Sequence, residues 1–267
     1  MNSEQHAMKH MAAPHISLAS YLGPAGLVLA VLSGLGLALA GPGSRLGLWY
    51  FRTGFTILTW AGIGGAAAAL ISLAGGVIAH PSEHRSAFTL SLVGIAVGLT
   101  VAAIPWSWMR TAGQVPKIHD ITTDTANPPR FEAILPLRKD APNSAVYGGP
   151  GLSAQQLAAY PDIKSIILPI SAGTAFDRAL ITAHSMGWHI AAADPATGRI
   201  EATASTFWFG FRDDIVLRIT PVPGGSKIDM RSESRVGLSD MGMNAARIRS
   251  FLHTMASTSI IDPKWNG

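Results

Sequence analysis

The sequence predicts an α-helical transmembrane region of three helices followed by an α+β domain, in which an antiparallel sheet of four or more strands packs with two or three helices. The first supporting observation is the distribution of charge, since residues 16–109 contain four charged side chains and residues 110–267 contain 30. The second is the hydrophobic pattern, which changes from long uncharged runs to strand-like and helix-like spacings after residue 110. The charged fraction of the whole chain, 13% against about 25% for soluble domains, therefore averages two unlike parts.

Three uncharged runs are each long enough to cross a bilayer, which takes about 20 apolar residues. Leu22–Ala40 has 19 residues, Gly54–Ala79 has 26 and Ser86–Met109 has 24. We predict an N-terminal tail over residues 1–19 and a membrane region over 20–110, with spans at about 20–40, 54–79 and 86–109. An alternative for the first run is a cleaved signal peptide, because Ala38-Leu-Ala40 resembles a signal-peptidase site.

The predicted spans are rich in small residues, which let helix backbones approach closely in lipid. Gly94 and Gly98 form a GxxxG motif in the third run, and Gly62 and Gly65 lie in the second. These four glycines predict either packing among the chain's own three helices or a face for a homo-oligomer or a protein partner. No charged residue lies within a run, so we predict no ion or proton pathway built from ionisable groups.

The basic residues beside the runs give a weak indication of topology. Lys9 and Arg85 lie on one side of the membrane, whereas the other side carries four basic residues: Arg45, Arg52, Arg110 and Lys117. Because cytoplasmic loops carry the excess of Lys and Arg, this count favours a cytoplasmic C-terminal domain.

The C-terminal part begins with a proline-rich segment. Residues 111–150 contain six prolines, which indicates an extended connector with Phe131–Leu135 as a short strand. The α+β domain is expected over residues 151–256, followed by a tail over 257–267. Its predicted elements are a helix over 153–160, a strand over 165–170, a helix over 174–186 that Thr174 opens, strands over 188–193, 199–211, 215–219 and 228–234, and a last helix with Ile248, Phe251, Leu252 and Met255 on one face.

Charged side chains of alternating sign occupy every second position from Lys227 to Arg235. Such a pattern is typical of a solvated strand face. The alternative is a polar groove that forms an enzyme site or a small-anion site. Asp240 and Asn244 also suit the start of the last helix, where side-chain oxygens accept unpaired N–H groups. The candidate residues of this polar site are Arg218, Asp229, Arg231, Arg235, Asp240 and Asn244.

Four aromatic residues occupy four of the last five positions of the predicted strand 199–211. Phe207, Phe209 and Phe211 would lie on one strand face and Trp208 on the other. One of these faces is expected to meet the helices, and an exposed second face would form an apolar binding surface.

The sequence predicts no cofactor and no metal site. The chain has no Cys, which excludes disulfides and Cys-based metal or iron–sulfur sites. Two His pairs, His6 with His10 and His80 with His84, have the spacing of helical metal ligands, but Pro81 disrupts the second and the first lies in a tail.

GxSxG, HExxH, P-loop and GxGxxG motifs are absent, which favours a non-enzymatic protein without deciding the question. Residues 110–267 hold 16 basic and 14 acidic side chains, so no nucleic-acid partner is predicted.

Three strings carry a resemblance to a known family. They are Gly198-Arg-Ile-Glu-Ala-Thr, Trp208-Phe-Gly-Phe-Arg-Asp-Asp-Ile and Asp229-Met-Arg-Ser-Glu-Ser-Arg-Val-Gly-Leu-Ser-Asp-Met-Gly-Met-Asn244. Over roughly residues 118–256 the chain resembles the DUF1499 family, a bacterial and plastid family with no established activity, here with three membrane helices in front. The resemblance implies an extracytoplasmic domain. Many members carry a Cys-containing segment near the start of the domain, where this chain has Asn127-Pro-Pro-Arg-Phe131, so any role of that segment does not transfer.

The leading functional hypothesis is a membrane-anchored envelope protein that acts as a binding or accessory module for a partner protein or an amphiphile. One alternative is an enzyme or small-anion site on the Arg/Asp cluster, and another is a structural subunit of a larger membrane complex. Beyond the lipid bilayer, the expected partner is a protein or a second copy that binds the glycine-rich helices. Following the resemblance and against the loop-charge count, we expect an integral protein of the bacterial inner membrane with a periplasmic C-terminal domain.

Overall fold

The computed structural model describes residues 18–79 and 84–257. They divide into two compact units, with the boundary between Met109 and Arg110. Three of the histidines with the spacing of helical metal ligands, His6, His10 and His80, lie outside the described residues, as do residues 1–17 of the N-terminal tail and 258–267 of the C-terminal tail.

The first unit consists of long apolar helices. Helix α1 is Ala19–Arg45, α2 is Phe51–Ile78 and α3 is Arg85–Gln114. Each is long and apolar enough to cross a membrane, which confirms the three predicted helices. The helices extend past the uncharged runs because helical hydrogen bonding depends on the backbone and does not stop where the apolar residues end.

The four predicted packing glycines lie at contacts between helices of the same chain. A Cβ on Gly65 would lie 2.8 Å from the carbonyl oxygen of Gly98, and one on Gly98 would lie 2.6 Å from that of Gly65. A Cβ on Gly94 would lie 3.1 Å from the backbone nitrogen of Leu27, and one on Gly62 would lie 3.3 Å from Pro105 Cγ. These glycines therefore allow backbone approach within the chain, and the homo-oligomer stays a prediction.

The second unit is an α+β domain built on a six-stranded sheet, which confirms the predicted fold class. After α3 come β1 (Asp120–Thr122), a 3₁₀ helix (Leu135–Arg138), α4 (Gly149–Ala159), β2 (Ile166–Leu168), α5 (Ala172–Ser185), β3 (His189–Asp194), β4 (Arg199–Ser205), β5 (Arg212–Val222), β6 (Gly225–Ser234) and α6 (Met243–Ser257).

All strand pairs in the sheet are antiparallel. Strands β3 to β6 form a meander in chain order. The outer edge of β6 is covered by two short strands, with β1 pairing Asp120 to Glu233 and β2 pairing Ile166 to Ile228. This pairing satisfies the β6 backbone groups that an exposed sheet edge would leave open.

One face of the sheet packs against α5 and α6 and forms the main hydrophobic core. Ile215, Leu217 and Met230 point from the strands into this core and are fully buried. Trp188 stacks on Phe251 of α6 with ring centroids 5.4 Å apart. The residues that alternate with these core residues along β5 and β6 therefore point to the opposite face of the sheet.

That opposite face is not solvated, so the interpretation of Lys227–Arg235 as a solvated strand face was wrong. Residues 123–147, here called the cover segment, lie across it, with Phe131 and Ile134 packed on Val216. The proline-rich segment is thus not an extended connector, and Phe131–Leu135 is not a strand. The segment folds back because its few apolar side chains and its backbone N–H groups find partners on the sheet.

Two local predictions also need correction. Strand β4 ends at Ser205 instead of residue 211, because Thr206 and Phe211 close a loop in which each backbone N–H bonds to the other residue. Helix α5 begins after Ser171, whose hydroxyl accepts the Thr174 N–H at 3.1 Å, so the cap is Ser171 and not Thr174.

Candidate functional site

The candidate site is the buried charged layer between the sheet and the cover segment. Side chains alternate between the two faces of a sheet, so the residues of β4 to β6 that do not point into the hydrophobic core point into this layer. The charged members of this layer from the strands are Arg199, Glu201, Asp214, Arg218, Lys227, Asp229, Arg231 and Glu233, and Arg235 joins them directly after β6.

Arg231 lies at the centre of the layer and is 1% exposed. Its Nε and Nη2 atoms donate to the two carboxylate oxygens of Asp120 at 2.9 Å each. The remaining nitrogen donates to the Pro129 carbonyl oxygen at 3.3 Å, and the guanidinium lies 4.8 Å from the Phe131 ring centroid. All three nitrogens are therefore engaged within the domain, which makes Arg231 a structural link between β1, β6 and the cover segment.

Arg138 of the 3₁₀ helix enters the same layer and joins two carboxylates. It donates to Asp214 and to Glu233 at 2.8 Å each. Arg235 donates to both oxygens of Asp214, also at 2.8 Å. Burial, together with the nearby Asp120 carboxylate, raises the pKa of Glu233 to about 8 in spite of the two arginines. Arg138 was not among the predicted site residues, because it lies in a segment interpreted as a connector.

Arg218 and Asp229 form a second group of charges at the other end of the layer. Two Arg218 nitrogens donate to one Asp229 oxygen at 3.0 and 2.7 Å. Lys227 lies 3.2 Å from Asp229 and 3.1 Å from Asp124, and Ser165 donates to Asp229. Burial acts to raise the pKa of Asp124, but the Asn127 N–H and the Lys227 ammonium hold it below its ordinary value.

Glu201 anchors the cover segment through its backbone and was also missed. Its carboxylate accepts the N–H groups of Glu132 and Ile134 at 2.9 Å and that of Ala133 at 3.2 Å. The only sequence signal that marks it is the position of an acid between two apolar strand residues, Ile200 and Ala202, and the structure shows that this acid is fully buried. Its partners could not be identified, because they lie nearly 70 residues away in the chain.

Asp240 and Asn244 lie apart from this layer, at the start of α6. Asp240 accepts the N–H groups of Gly242 and Asn244 at 2.8 Å each, and burial raises its pKa. Asn244 accepts from Ser232 at 2.7 Å and donates to the His119 carbonyl oxygen at 2.9 Å. Both residues fix the helix and β1 to the side of β6 that carries the hydrophobic core.

The six predicted polar residues are thus separated into three places. Arg218 with Asp229 forms one group, Arg231 with Arg235 belongs to a second, and Asp240 with Asn244 forms a third. A cavity of about 170 Å³ lies beside the first group and is lined by Arg218, Arg199 and residues 127–130. Arg199 pairs with Glu132 and Glu201, and Arg218 pairs with Asp229, so the charges of these two arginines are neutralised, while the exposed Arg130 also lines the cavity.

Two further cavities lie in the domain. One of about 380 Å³ is lined by residues 117–120, 142–144 and neighbours up to Gln155, and one of about 360 Å³ by residues 123–126, 163–165 and Lys227. Among the described residues, no group of three or more His, Asp or Glu side chains could hold a metal ion.

The predicted aromatic surface lies in the loop between β4 and β5, not on a strand. Phe207 is 91% exposed, Trp208 and Phe211 are half-buried, and Phe209 is buried. Phe209 stacks on Phe211 with ring centroids 5.2 Å apart, and Trp208 lies 5.8 Å from Phe209. The loop therefore has a packed aromatic base, and Phe207 projects from it.

A family model described as "Protein of unknown function (DUF1499)" matches residues 120–255, just over half of the chain. The chain belongs to the DUF1499 family. This confirms the resemblance read from the sequence. No curated protein matches the chain.

The DUF1499 match begins at Asp120, so it includes the cover segment and the main partners of the buried arginines. The run from Asp229 to Asn244, which carries much of the resemblance, contains Arg231 and Arg235 as well as the helix-capping Asp240. In this DUF1499 domain the run therefore holds together β1, the cover segment and α6.

Proposed function

We propose that this protein is a membrane-anchored binding module and that its recognition surface is one end of the DUF1499 sheet. The residues that define this surface, here called the apolar end, are Leu137, Phe207, Leu238, Met241 and Met243. Several exposed apolar side chains on adjacent loops mark an interaction surface more strongly than isolated ones do. Their position at one end of the sheet is the observation that carries the proposal.

The strand register brings these residues to the same end. Ser205 pairs with Arg212, and Asp213 pairs with Ser234, so the loop 206–211 and the chain after Ser234 leave the sheet together. Leu238 is 81% exposed, and Met241 and Met243 are also exposed. The Leu137 carbonyl oxygen accepts from Arg235 at 2.7 Å, which brings exposed Leu137 to the same end.

The charged layer favours a structural role over the enzyme and small-anion alternatives. A catalytic or anion-binding group must reach its substrate, whereas Arg231, Arg235 and Asp229 point into buried pairs and Asp240 caps a helix. Unpairing one of these charges would leave its partner buried and uncompensated, at a cost of about 3–5 kcal/mol.

Photocrosslinking in native membranes tests the binding function. The full-length chain would carry a benzophenone amino acid in place of Phe207, and a control chain would carry it in place of Ile181, which is exposed on α5. We expect adducts several-fold more abundant from position 207, and their masses would distinguish a protein partner from a lipid. Equal adduct yields at the two positions would refute recognition at the apolar end.

We also propose that the domain lies on the periplasmic side of a bacterial inner membrane. The family resemblance supports this side, and the loop-charge count opposes it by two basic residues. Because the chain has no Cys, Ala196→Cys in the β3–β4 turn gives a single reactive thiol. Labelling by an impermeant maleimide in intact cells is the expected result, and labelling only after lysis would place the domain in the cytoplasm.

A further inference from the structure

We infer that the apolar end lies on an anionic lipid surface, with Phe207 and Leu238 entering the boundary between headgroups and acyl chains. This inference rests on the proposed function and names the ligand class of the same surface. Three observations support it: the place where the chain enters the domain, the charges around the apolar end, and the projection of its apolar side chains from separate loops.

The chain enters the domain beside the apolar end. Ser239 donates to the Pro116 carbonyl oxygen at 3.4 Å, the Asp240 N–H donates to Ile118 at 3.3 Å, and the Ser234 N–H donates to His119 at 2.9 Å. Residues 116–119 therefore run directly along the loop that carries Leu238 and Met241.

Only a short length of chain separates this point from the third uncharged run. Met109 is the last residue of the third uncharged run, and only six residues lie between it and Pro116. At a rise of about 3.5 Å per extended residue, this length spans at most about 25 Å, and it spans less because α3 continues to Gln114. The covalent chain is thus long enough for the loops that contact residues 116–119 to reach a bilayer surface, and too short to carry residue 116 far from it.

The charges around the apolar end suit anionic headgroups. Lys117 lies in the entry segment, Lys139 follows Arg138, and Arg212 begins β5 at this end of the sheet; all three are exposed. Asp140, beside Lys139, is an exposed acid, whereas Asp240 is occupied with backbone N–H groups at the start of α6. Basic side chains around aromatic and aliphatic ones form the pattern with which proteins bind the lipid interface.

The form of the apolar end favours a lipid surface over a folded protein partner. Phe207 and Leu238 project from separate loops, and the three domain cavities described above are lined by other residues. Peptide recognition uses a groove or an open sheet edge, and the outer edge of β6 is already covered by β1 and β2. Separate projecting side chains need neither feature to enter a bilayer.

Fluorescence quenching on the cysteine-free background tests the inference. Purified full-length chains with Phe207→Cys or Leu238→Cys would be labelled with an environment-sensitive fluorophore and placed in nanodiscs of phosphatidylcholine containing phosphatidylglycerol. The matched control is Ala196→Cys in the β3–β4 turn, whose strands place it at the opposite end of the sheet. Doxyl-labelled lipid and aqueous iodide would be the two quenchers.

We expect doxyl lipid to quench labels 207 and 238 at least about twofold more than label 196, and iodide to show the reverse order. Omitting phosphatidylglycerol should weaken the doxyl quenching at both positions. Iodide quenching at 207 and 238 equal to that at 196 would overturn the inference. If position 207 nevertheless crosslinks to a protein in native membranes, the binding module stands and only its lipid ligand is refuted; if it crosslinks to nothing, both proposals fail.

Discussion

Arg231 of β6 and Asp120 of β1 are diagonal neighbours in the sheet and share two parallel hydrogen bonds of 2.9 Å each. Their side chains are 1% and 4% exposed, so the ion pair is almost wholly out of water. It joins the start of the domain to its last strand over 111 residues of chain. The pair connects two distant segments that local sequence patterns could not have paired.

Asp120→Asn is expected to destabilise the domain strongly. The amide keeps the shape of the carboxylate but leaves the Arg231 charge buried without its main partner, which costs about 3–5 kcal/mol. The free energy of unfolding from urea denaturation in mild detergent measures the effect.

The matched control is Asp162→Asn, which breaks the exposed two-point pair between Asp162 and Arg249. Solvent screens such pairs, so its cost should stay below about 1 kcal/mol. Similar losses for both variants would contradict the structural role of the buried pair.

Glu201→Gln should loosen the cover segment while leaving the hydrophobic core in place. In the wild type the carboxylate accepts from backbone N–H groups with both oxygens. The amide of the variant keeps one accepting oxygen and turns an NH₂ group, itself a donor, toward the other N–H groups. Hydrogen exchange of residues 130–138 should therefore accelerate by tenfold or more, since about 1.4 kcal/mol corresponds to tenfold. Glu132→Gln, at an exposed side chain, is the control. Unchanged exchange in Glu201→Gln would show that other contacts hold the segment.

The free energy of unfolding should fall as the pH rises from about 4.5 to 8. The pKa of Glu233 is about 8 in the folded state, whereas its ordinary value is 4.5. Between these two pH values the folded state therefore binds a proton that the unfolded state does not. This contribution is complete below pH 4.5 and is lost as the pH approaches 8, with a slope of at most about 1.4 kcal/mol per pH unit. The raised pKa of Asp240 adds a slope of the same sign.

Glu233→Gln removes the titrating group, so the dependence of melting temperature on pH should become flatter between pH 5 and 8. The measurement is thermal unfolding of both proteins in the same detergent at several pH values. A mutant curve parallel to that of the wild type would assign the pH dependence to other groups.

Gly98→Val is expected to separate α2 from α3. Even the first added carbon would lie 2.6 Å from the Gly65 carbonyl oxygen, which is too close for any real contact. The melting temperature of the helical signal should fall, and α2–α3 crosslinks between introduced cysteines should weaken. Gly36→Ala is the control, because its Cβ would meet Ile57 and Ala61 at ordinary distances of 3.8 and 3.9 Å. Equal melting of the two variants would exclude close packing at Gly98.

Local patterns were sufficient for the helices and for most of the sheet. The apolar spacing of Ile248, Phe251 and Met255 placed the last helix on the core, where all three side chains are fully buried. The prediction that the aromatic residues 207–211 lie on a strand was wrong, because alternation indicates which face of a sheet a residue takes but not where the strand ends. Only the paired hydrogen bonds of Thr206 and Phe211 end β4 at Ser205.

The sequence by itself determined the class of this protein: three apolar helices, a mixed domain after them and membership of the DUF1499 family. Those features depend on composition, periodicity and a continuous motif, all of which are local. The tertiary structure alone decided that the alternating charges from Asp229 to Glu233 are buried, because their partners Asp120 and Arg138 return from distant positions. Charges that have left water must be paired, and the identity of each partner is set by how the chain closes in space.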